Sequence, residues 1–223
     1  MTEHHGRQLA SKWAKTEALL PHPSLAPHIP PTYPFNSANL RKALYRHGMV
    51  ILKPVVGSGG HGLLRIVSLR DEYVYSYRNK TVSIRHFPAL IRRIQSTIGR
   101  RPYLIQKGIN LAKVNGKPID YRVKYVLNGR KWEYRAVVGR IAKSGLFVTN
   151  LSQGGEQVKA AEGIRASLGP SHVNEKKRRM KELTAIATSM LVKKYPGIAQ
   201  LGYDFGIDKK GKIWLFEVNT RPH

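Results

Sequence analysis

MVILKPVVGSGGHGLLRIVSL, residues 49–69, decides how the rest of the chain is read. Gly57, Gly59 and Gly62 spell G-x-G-x-x-G, a pattern shared by several phosphate-binding loops. A dinucleotide fingerprint needs a helix after the loop, so that the helix N-terminus meets the pyrophosphate. Here LLRIVSL follows, β-branched and closed by Arg70-Asp71, and it reads as a strand. Asp71 and Glu72 also come too early for the acidic residue that holds a ribose. A Walker A loop fails because no Gly-Lys-Ser/Thr closes it. What remains is strand–glycine loop–strand, a flap whose backbone N–H groups can fold over phosphates.

Protein kinases use such a flap, and the chain contains DFG at Asp204–Gly206. The kinase order nevertheless fails: a kinase carries its phosphate lysine on the strand after the flap, whereas Lys53 precedes it. No His-Arg-Asp stretch occurs anywhere, so the DFG inside GYDFGID reads as coincidence.

The other end of the chain supplies chemistry that suits the flap. LGYDFGID and KIWLFEVN form a hairpin across the turn KKG, with Asp204 on one strand and Glu217 and Asn219 on the other. Glu217 and Asn219 are two apart and share a face. Two carboxylates and an amide oxygen are hard donors that suit magnesium held jointly with nucleotide phosphates; the bland reading is a surface hairpin with ordinary polar positions. Lys53, inside VILKPVV, is costly to bury unless an anion meets its ammonium. A snorkelling edge lysine is the other account.

Around these motifs the chain reads as α+β, with strand pairs and helices in separate runs. Residues 1–35 read as a proline-rich N-terminal extension with a short helix over Gln8–Leu20, since the prolines of PHPSLAPHIPPTYP forbid both a helix and a central strand. Asn36 or Ser37 caps a helix over Ala38–Arg46, and Gly48 ends it. EYVYSYR is a strand whose Tyr73, Tyr75 and Tyr77 serve sheet packing or base stacking. Pro88 opens a helix striped by Phe87, Leu90, Ile91 and Ile94, and YLIQKGI is a strand. DYRVKYVLNGRKWEYRAVVGRIA is a hairpin turning at Asn128-Gly129. Residues 174–194 form the longest helix, its basic first turns being a solvated face or an anion-docking patch.

Composition narrows the classes. The absence of cysteine excludes a disulfide scaffold, a thiolate zinc site and a Cys nucleophile. No apolar run approaches the roughly 18 residues of a membrane helix, and MTEHHGRQLASKWAKTE has no signal-peptide core, so a soluble, cytoplasmic protein is expected. Thirty-nine Lys+Arg against 13 Asp+Glu give +26, a field that attracts polyanions without sequence specificity.

Lysine-proline, a glycine flap, a Gln-Lys-Gly-Ile strand end and a C-terminal Glu-Val-Asn, in that order, resemble the ATP-grasp superfamily, in particular its YheC/YheD-like, endospore coat-associated branch. The resemblance covers about residues 12–223 and implies two α+β lobes with the nucleotide between them: a first lobe over 36–107 and a second over 108–223. It implies that Lys53 contacts the α- and β-phosphates and that Gly57, Ser58, Gly59, Gly60 and Gly62 form the flap, with His61 a loop residue or phosphate contact. Gln106, Lys107 and Ile109 would sit at the hinge that reads the adenine edge. Arg122 and Arg140 would face the γ-phosphate or the acyl phosphate made from it, helped by Asn150, with Gly154 and Gly155 letting the backbone approach. Asp204, Glu217 and Asn219 would bind two magnesium ions. The earlier nucleotide-binding lysine of many members has only Lys42 nearby, and only about 35 residues stand where a separate domain usually precedes, so a partner or dimer mate is expected to complete the site.

The activity implied is ATP-dependent carboxylate–amine ligation through an acyl phosphate, joining an amino acid or peptide to a carboxylate. The +26 charge would then draw in carboxylate-rich substrates such as glutamate or an acidic peptide. Two rivals keep the fold: an ATP-grasp-like kinase, and a non-catalytic basic protein associated with spores or nucleic acid.

Overall fold

The computed structural model describes residues 6–221; residues 1–5 and 222–223, the outer ends of the first and last expected segments, lie outside the described residues. The first element is α1 (Lys12–Leu19), shorter than the sequence predicts because Ser11 caps it, its hydroxyl accepting from the Ala14 N–H at 3.2 Å. A short strand, β1 (Thr32–Pro34), precedes α2 (Ser37–His47), where Asn36 Oδ1 accepts from the Asn39 N–H at 2.7 Å and Gly48 turns out at φ 68°.

There follow β2 (Met49–Pro54), β3 (Leu64–Ser68), β4 (Tyr73–Tyr77), β5 (Lys80–Ile84), α3 (Phe87–Ile98) and β6 (Tyr103–Lys107). They build one antiparallel sheet in the order β1-β6-β2-β3-β4-β5. Leu40 and Leu44 of α2 and Leu90 and Ile94 of α3 pack on Val50, Leu52, Leu64, Ile66 and Tyr75 to form its core. Tyr73 and Tyr77 border the same cluster, so the three tyrosines serve packing.

A second sheet runs β10-β9-β8-β11-β12. Its strands are β8 (Lys117–Asn128), β9 (Lys131–Ile141), β10 (Glu156–Lys159), β11 (Gln200–Ile207) and β12 (Ile213–Asn219), with the short β7 (Lys113–Val114) pairing to β8. Two helices, α4 (Ala160–Leu168) and α5 (Val173–Lys194), cover one face. Ile119, Tyr121 and Val123 of β8, with Leu201, Tyr203 and Phe205 of β11, meet Met180, Leu183, Ala187 and Leu191 of α5 there. By strand alternation Asp120, Arg122 and Lys124 point the other way, towards the first sheet. Arg178 and Arg179 pair with Glu182 one turn on, and the buried Lys176 pairs with Glu175, so the basic start of α5 is laced by its own ion pairs.

The segment read as an extension is part of this body. Leu19, Leu25 and Ile29 belong to the second core, while β1 pairs with β6, Thr32 opposite Gln106. Its prolines bar a central strand but not an edge strand, and the apolar residues between them anchor the chain. Leu25→Ala, at a fully buried position, is therefore expected to cost about 2–5 kcal/mol. Scanning calorimetry should show a Tm drop of roughly 5–15 °C, whereas a dispensable tail would show none. Among the described residues no helix is long and apolar enough to cross a membrane.

Candidate nucleotide and metal site

Between the two sheets lies a cleft of about 910 Å3. From the first sheet, β2 brings Lys53, which is buried at 4 % exposure, and its Nζ donates to the Phe216 carbonyl at 2.8 Å. Burial pulls the Lys53 pKa down to about 8, against the pull of the neighbouring Glu217 carboxylate. The ammonium is thus held one residue from Glu217 with no carboxylate bound to it directly, the situation in which an incoming anion gains most.

The loop after β2 lies over this point. Ser152 Oγ donates to the Gly59 carbonyl at 2.9 Å, and His61 touches Gln153 Nε2 at 3.3 Å, so the flap rests on the second lobe and His61 acts as a loop contact. A Cβ at Gly60 would come within 2.5 Å of Asn150 Oδ1, and φ is 72° there, which explains the glycine at that approach. Gly57, Ser58, Gly59 and Gly60 line the cleft together with Asn150; Gly62 instead turns beside Tyr103.

The second sheet supplies the acids. Asp204 on β11 and Glu217 on β12 are direct cross-strand partners, and Asn219 Nδ2 is 3.5 Å from Asp204 Oδ2, so the three oxygen-bearing side chains converge. Each carboxylate is already met by a cation. Arg122 grips Asp204 through two bonds of 2.8 and 2.9 Å, and Arg140 reaches the same carboxylate at 3.2 Å. Arg140 also donates from Nε to Asp120 Oδ1 at 2.8 Å. Burial works against the Asp204 carboxylate, but Arg140 and Arg122 outweigh it and hold the carboxyl below its ordinary range. The two arginines expected at the γ-phosphate are therefore next to the expected metal ligands and bound to them.

Glu217 is met by Lys12, whose Nζ lies 2.7 Å from Oε1 and also donates to the Gly57 carbonyl. Sequence reasoning missed Lys12. The nearby candidate Lys42 is exposed on α2, whereas Lys12 lines the cleft from the first turn of α1. The available signal was a lysine opening a helix just before a Leu-Pro stop; its reach to Gly57 and Glu217 is tertiary.

At the hinge, Gln106, Lys107 and Ile109 all line the cleft. The Gln106 amide is engaged with Thr32 Oγ1 at 3.1 Å, the Lys107 N–H donates to Pro31 O at 2.8 Å, and the Lys107 ammonium sits 5.2 Å over Trp214. Twelve Lys or Arg side chains border the cleft against three acids, Asp120, Asp204 and Glu217, so its charge favours an anion. The donor set of Asp204, Glu217 and Asn219 fits a hard divalent cation once Lys12 and Arg122 move to that anion.

Known proteins share both sequence and fold. The family profile described as YheC/D like ATP-grasp matches residues 2–223. The endospore coat-associated protein YheD of Bacillus subtilis is 28% identical over 220 residues, covering 95% of this chain and 48% of its own length. YheC of the same organism is 24% identical over 233 residues, covering 99% and 62% respectively, so the chain spans about half to under two thirds of these curated relatives. Among solved structures, carboxyaminoimidazole ribonucleotide synthase from Aspergillus clavatus complexed with ATP superposes with a TM-score of 0.61 at 13% identity, over 97% of this chain and 46% of that one. D-alanyl-alanine synthetase A from Vibrio cholerae gives a TM-score of 0.55 at 15% identity, over 96% and 55%. The two antiparallel sheets with a cleft between them are the ATP-grasp fold, and the chain belongs to the YheC/D-like ATP-grasp family.

Proposed function

We propose that the chain binds ATP between its lobes, residues 36–107 and 108–223, and uses it to join a carboxylate to an amine. The observation that carries the reading is the meeting of Lys12 with Glu217 and of Lys53 with the adjoining Phe216 carbonyl, beside Asp204 and Asn219, under a glycine flap. In the reaction a substrate carboxylate oxygen attacks the γ-phosphorus, and the bond to the β,γ-bridging oxygen breaks towards ADP. An amine then attacks the acyl carbon, the C–N bond forms, phosphate leaves with the C–O electron pair, and the amine proton passes to phosphate or water.

Such a transfer needs positioning and charge neutralisation rather than a protein nucleophile. Lys12 and Lys53 neutralise phosphate oxygens, and the N–H groups of residues 57–62 cover them. Arg122 and Arg140 turn from Asp204 to the transferring group, with Asn150 at its edge. Asp204, Glu217 and Asn219 would hold two magnesium ions, which supply further charge neutralisation at the phosphates. Gln106, Lys107 and Ile109 border the adenine. The names of the Bacillus relatives support association with the spore, and the cleft charge supports anionic partners.

Calorimetry of the wild type should show ATP binding that magnesium strengthens. With carboxylates supplied, ADP release should then require the carboxylate, and hydroxylamine should trap the acyl phosphate as a hydroxamate. No magnesium-ATP binding would overturn the reading. ADP release with a stable phosphorylated product and no hydroxamate would favour the kinase.

A further inference from the structure

The strand register orders the cleft. At the hinge end Leu111 bridges to Asp208 and the Ala112 N–H donates to Ile207 O. Moving away from the hinge, Asp120 stands opposite Gly206, Arg122 opposite Asp204, and Lys124 opposite Gly202. On the next strand Asp204 faces Glu217 and Gly202 faces Asn219. Lys124 is therefore the cation one same-face step beyond the arginine–carboxylate cluster, about 7 Å along the strand from Arg122 and on the side away from the hinge.

Its surroundings leave the ammonium free. Its cross-strand neighbours on the two sides are Ala136, with a lone methyl group, and Gly202, with no side chain, so neither screens it. Arg122 and Arg140 are committed to Asp204 and Asp120, but among the described residues Lys124 has no carboxylate within 4.0 Å and no hydrogen-bond partner. Its immediate neighbours on β8, Val123 and Tyr125, pack into the core on the opposite face of the sheet, so Lys124 is directed into the cleft that it lines. A half-buried lysine on the cleft floor, one same-face step past the arginine read as facing the transferring phosphate, is placed for the substrate rather than the nucleotide.

We propose that Lys124 is the subsite for a second anionic group of the carboxylate substrate. That substrate is then at least a dicarboxylate, of the class of acidic amino acids and acidic peptides: the carboxylate to be activated lies at Arg122 and the next one lies at Lys124. This rests on the ATP-dependent ligase reading and goes further by naming the substrate class.

The test uses the full chain, titrated first with magnesium and a non-hydrolysable ATP analogue, and then with tetra-glutamate or tetra-glutamine peptide. Tetra-glutamate should bind and tetra-glutamine should not. Lys124→Ala should weaken tetra-glutamate by at least roughly tenfold, the scale of one desolvated charge contact, while Lys124→Arg retains binding. Lys131→Ala removes the same charge from an exposed position on β9 outside the cleft lining, and should leave the peptide affinity within about twofold. All three variants should bind the analogue as the wild type does. Equal binding of the neutral peptide, equal loss in Lys131→Ala, or no tetra-glutamate binding to the analogue-loaded protein would overturn the proposal. Failure of the first titration instead overturns the ATP reading, and this proposal with it.

Discussion

Lys53→Met is expected to weaken magnesium-ATP binding by at least roughly 100-fold, about 3 kcal/mol, while leaving the protein as stable as the wild type or more so at pH 7. The two effects have one origin. Lys53 is buried, and its pKa is drawn from 10.5 to about 8, so carrying the charge at pH 7 costs the unliganded fold about 3 kcal/mol. Methionine fills the same space without that cost, although it leaves the Phe216 carbonyl without the Nζ donor. In the wild type a bound nucleotide phosphate would offset the cost, and in the variant it would find nothing to neutralise.

The pH dependence follows with a definite sign. Between about 8 and 10.5 the unfolded chain holds a proton on this lysine that the folded chain has released, so stability rises with pH across that window and its gain is lost as pH falls through 8. Lys15, also drawn to about 8 by burial, adds a second rise of the same sign. Lys53→Met should retain only the Lys15 component in urea titrations at pH 7, 8.5 and 10. In the wild type, ATP binding at pH 8.5 should take up protons, because phosphate re-protonates Lys53; calorimetry in two buffers of different ionisation enthalpy reads this directly. A variant that binds magnesium-ATP as the wild type does would remove Lys53 from the phosphate site.

What the sequence disclosed depended on the range of the interaction. Lys53 in an apolar strand, the glycines after it, and Glu217 and Asn219 two apart on one strand are local patterns, and a period of two fixes which of them share a face. The hairpin was legible from Asn128-Gly129, but it turns one residue later, at Gly129-Arg130, because Asn128 pairs with Lys131 and Gly129 takes φ 59°. By contrast β5 was silent: Lys80–Ile84 is almost wholly exposed and pairs with β4 alone, so no apolar alternation marks it. Lys12 was silent because its partners stand 45 and 205 residues away. The same holds for the pairing of Arg122 with Asp204 across 82 residues, which joins them with Arg140 and the unforeseen Asp120 into one neutral cluster. Leu25 and Ile29 were hidden by the prolines around them, since those prolines remove the periodicity by which a core face is recognised.

That cluster sets the second large effect. Asp204→Asn should lower stability by roughly 3–5 kcal/mol at pH 7, because Arg122 and the almost fully buried Arg140 would share the single carboxylate of Asp120. Adding Arg122→Met should recover part of the loss by restoring one cation to one anion, and a double-mutant cycle in urea measures that coupling. Because the Asp204 carboxyl is held below its ordinary 3.8, its contribution is complete above that pH and disappears as pH falls through the lower folded value. The cluster also predicts how ligands arrive. With Arg122 on Asp204 and Lys12 on Glu217, magnesium alone meets carboxylates that are already neutralised, and ATP alone meets cations that are already engaged. Each ligand would free the site for the other, with phosphate drawing the cations away and the oxygens of Asp204 and Glu217 left open to a metal. Magnesium should therefore strengthen ATP binding to the wild type by at least roughly tenfold while binding negligibly by itself, a coupling of about 1.4 kcal/mol or more. In Asp204→Asn/Arg122→Met, where the fold is partly rescued, that enhancement should vanish. If it persists there, Asp204 is a structural carboxylate and the metal lies elsewhere in the cleft.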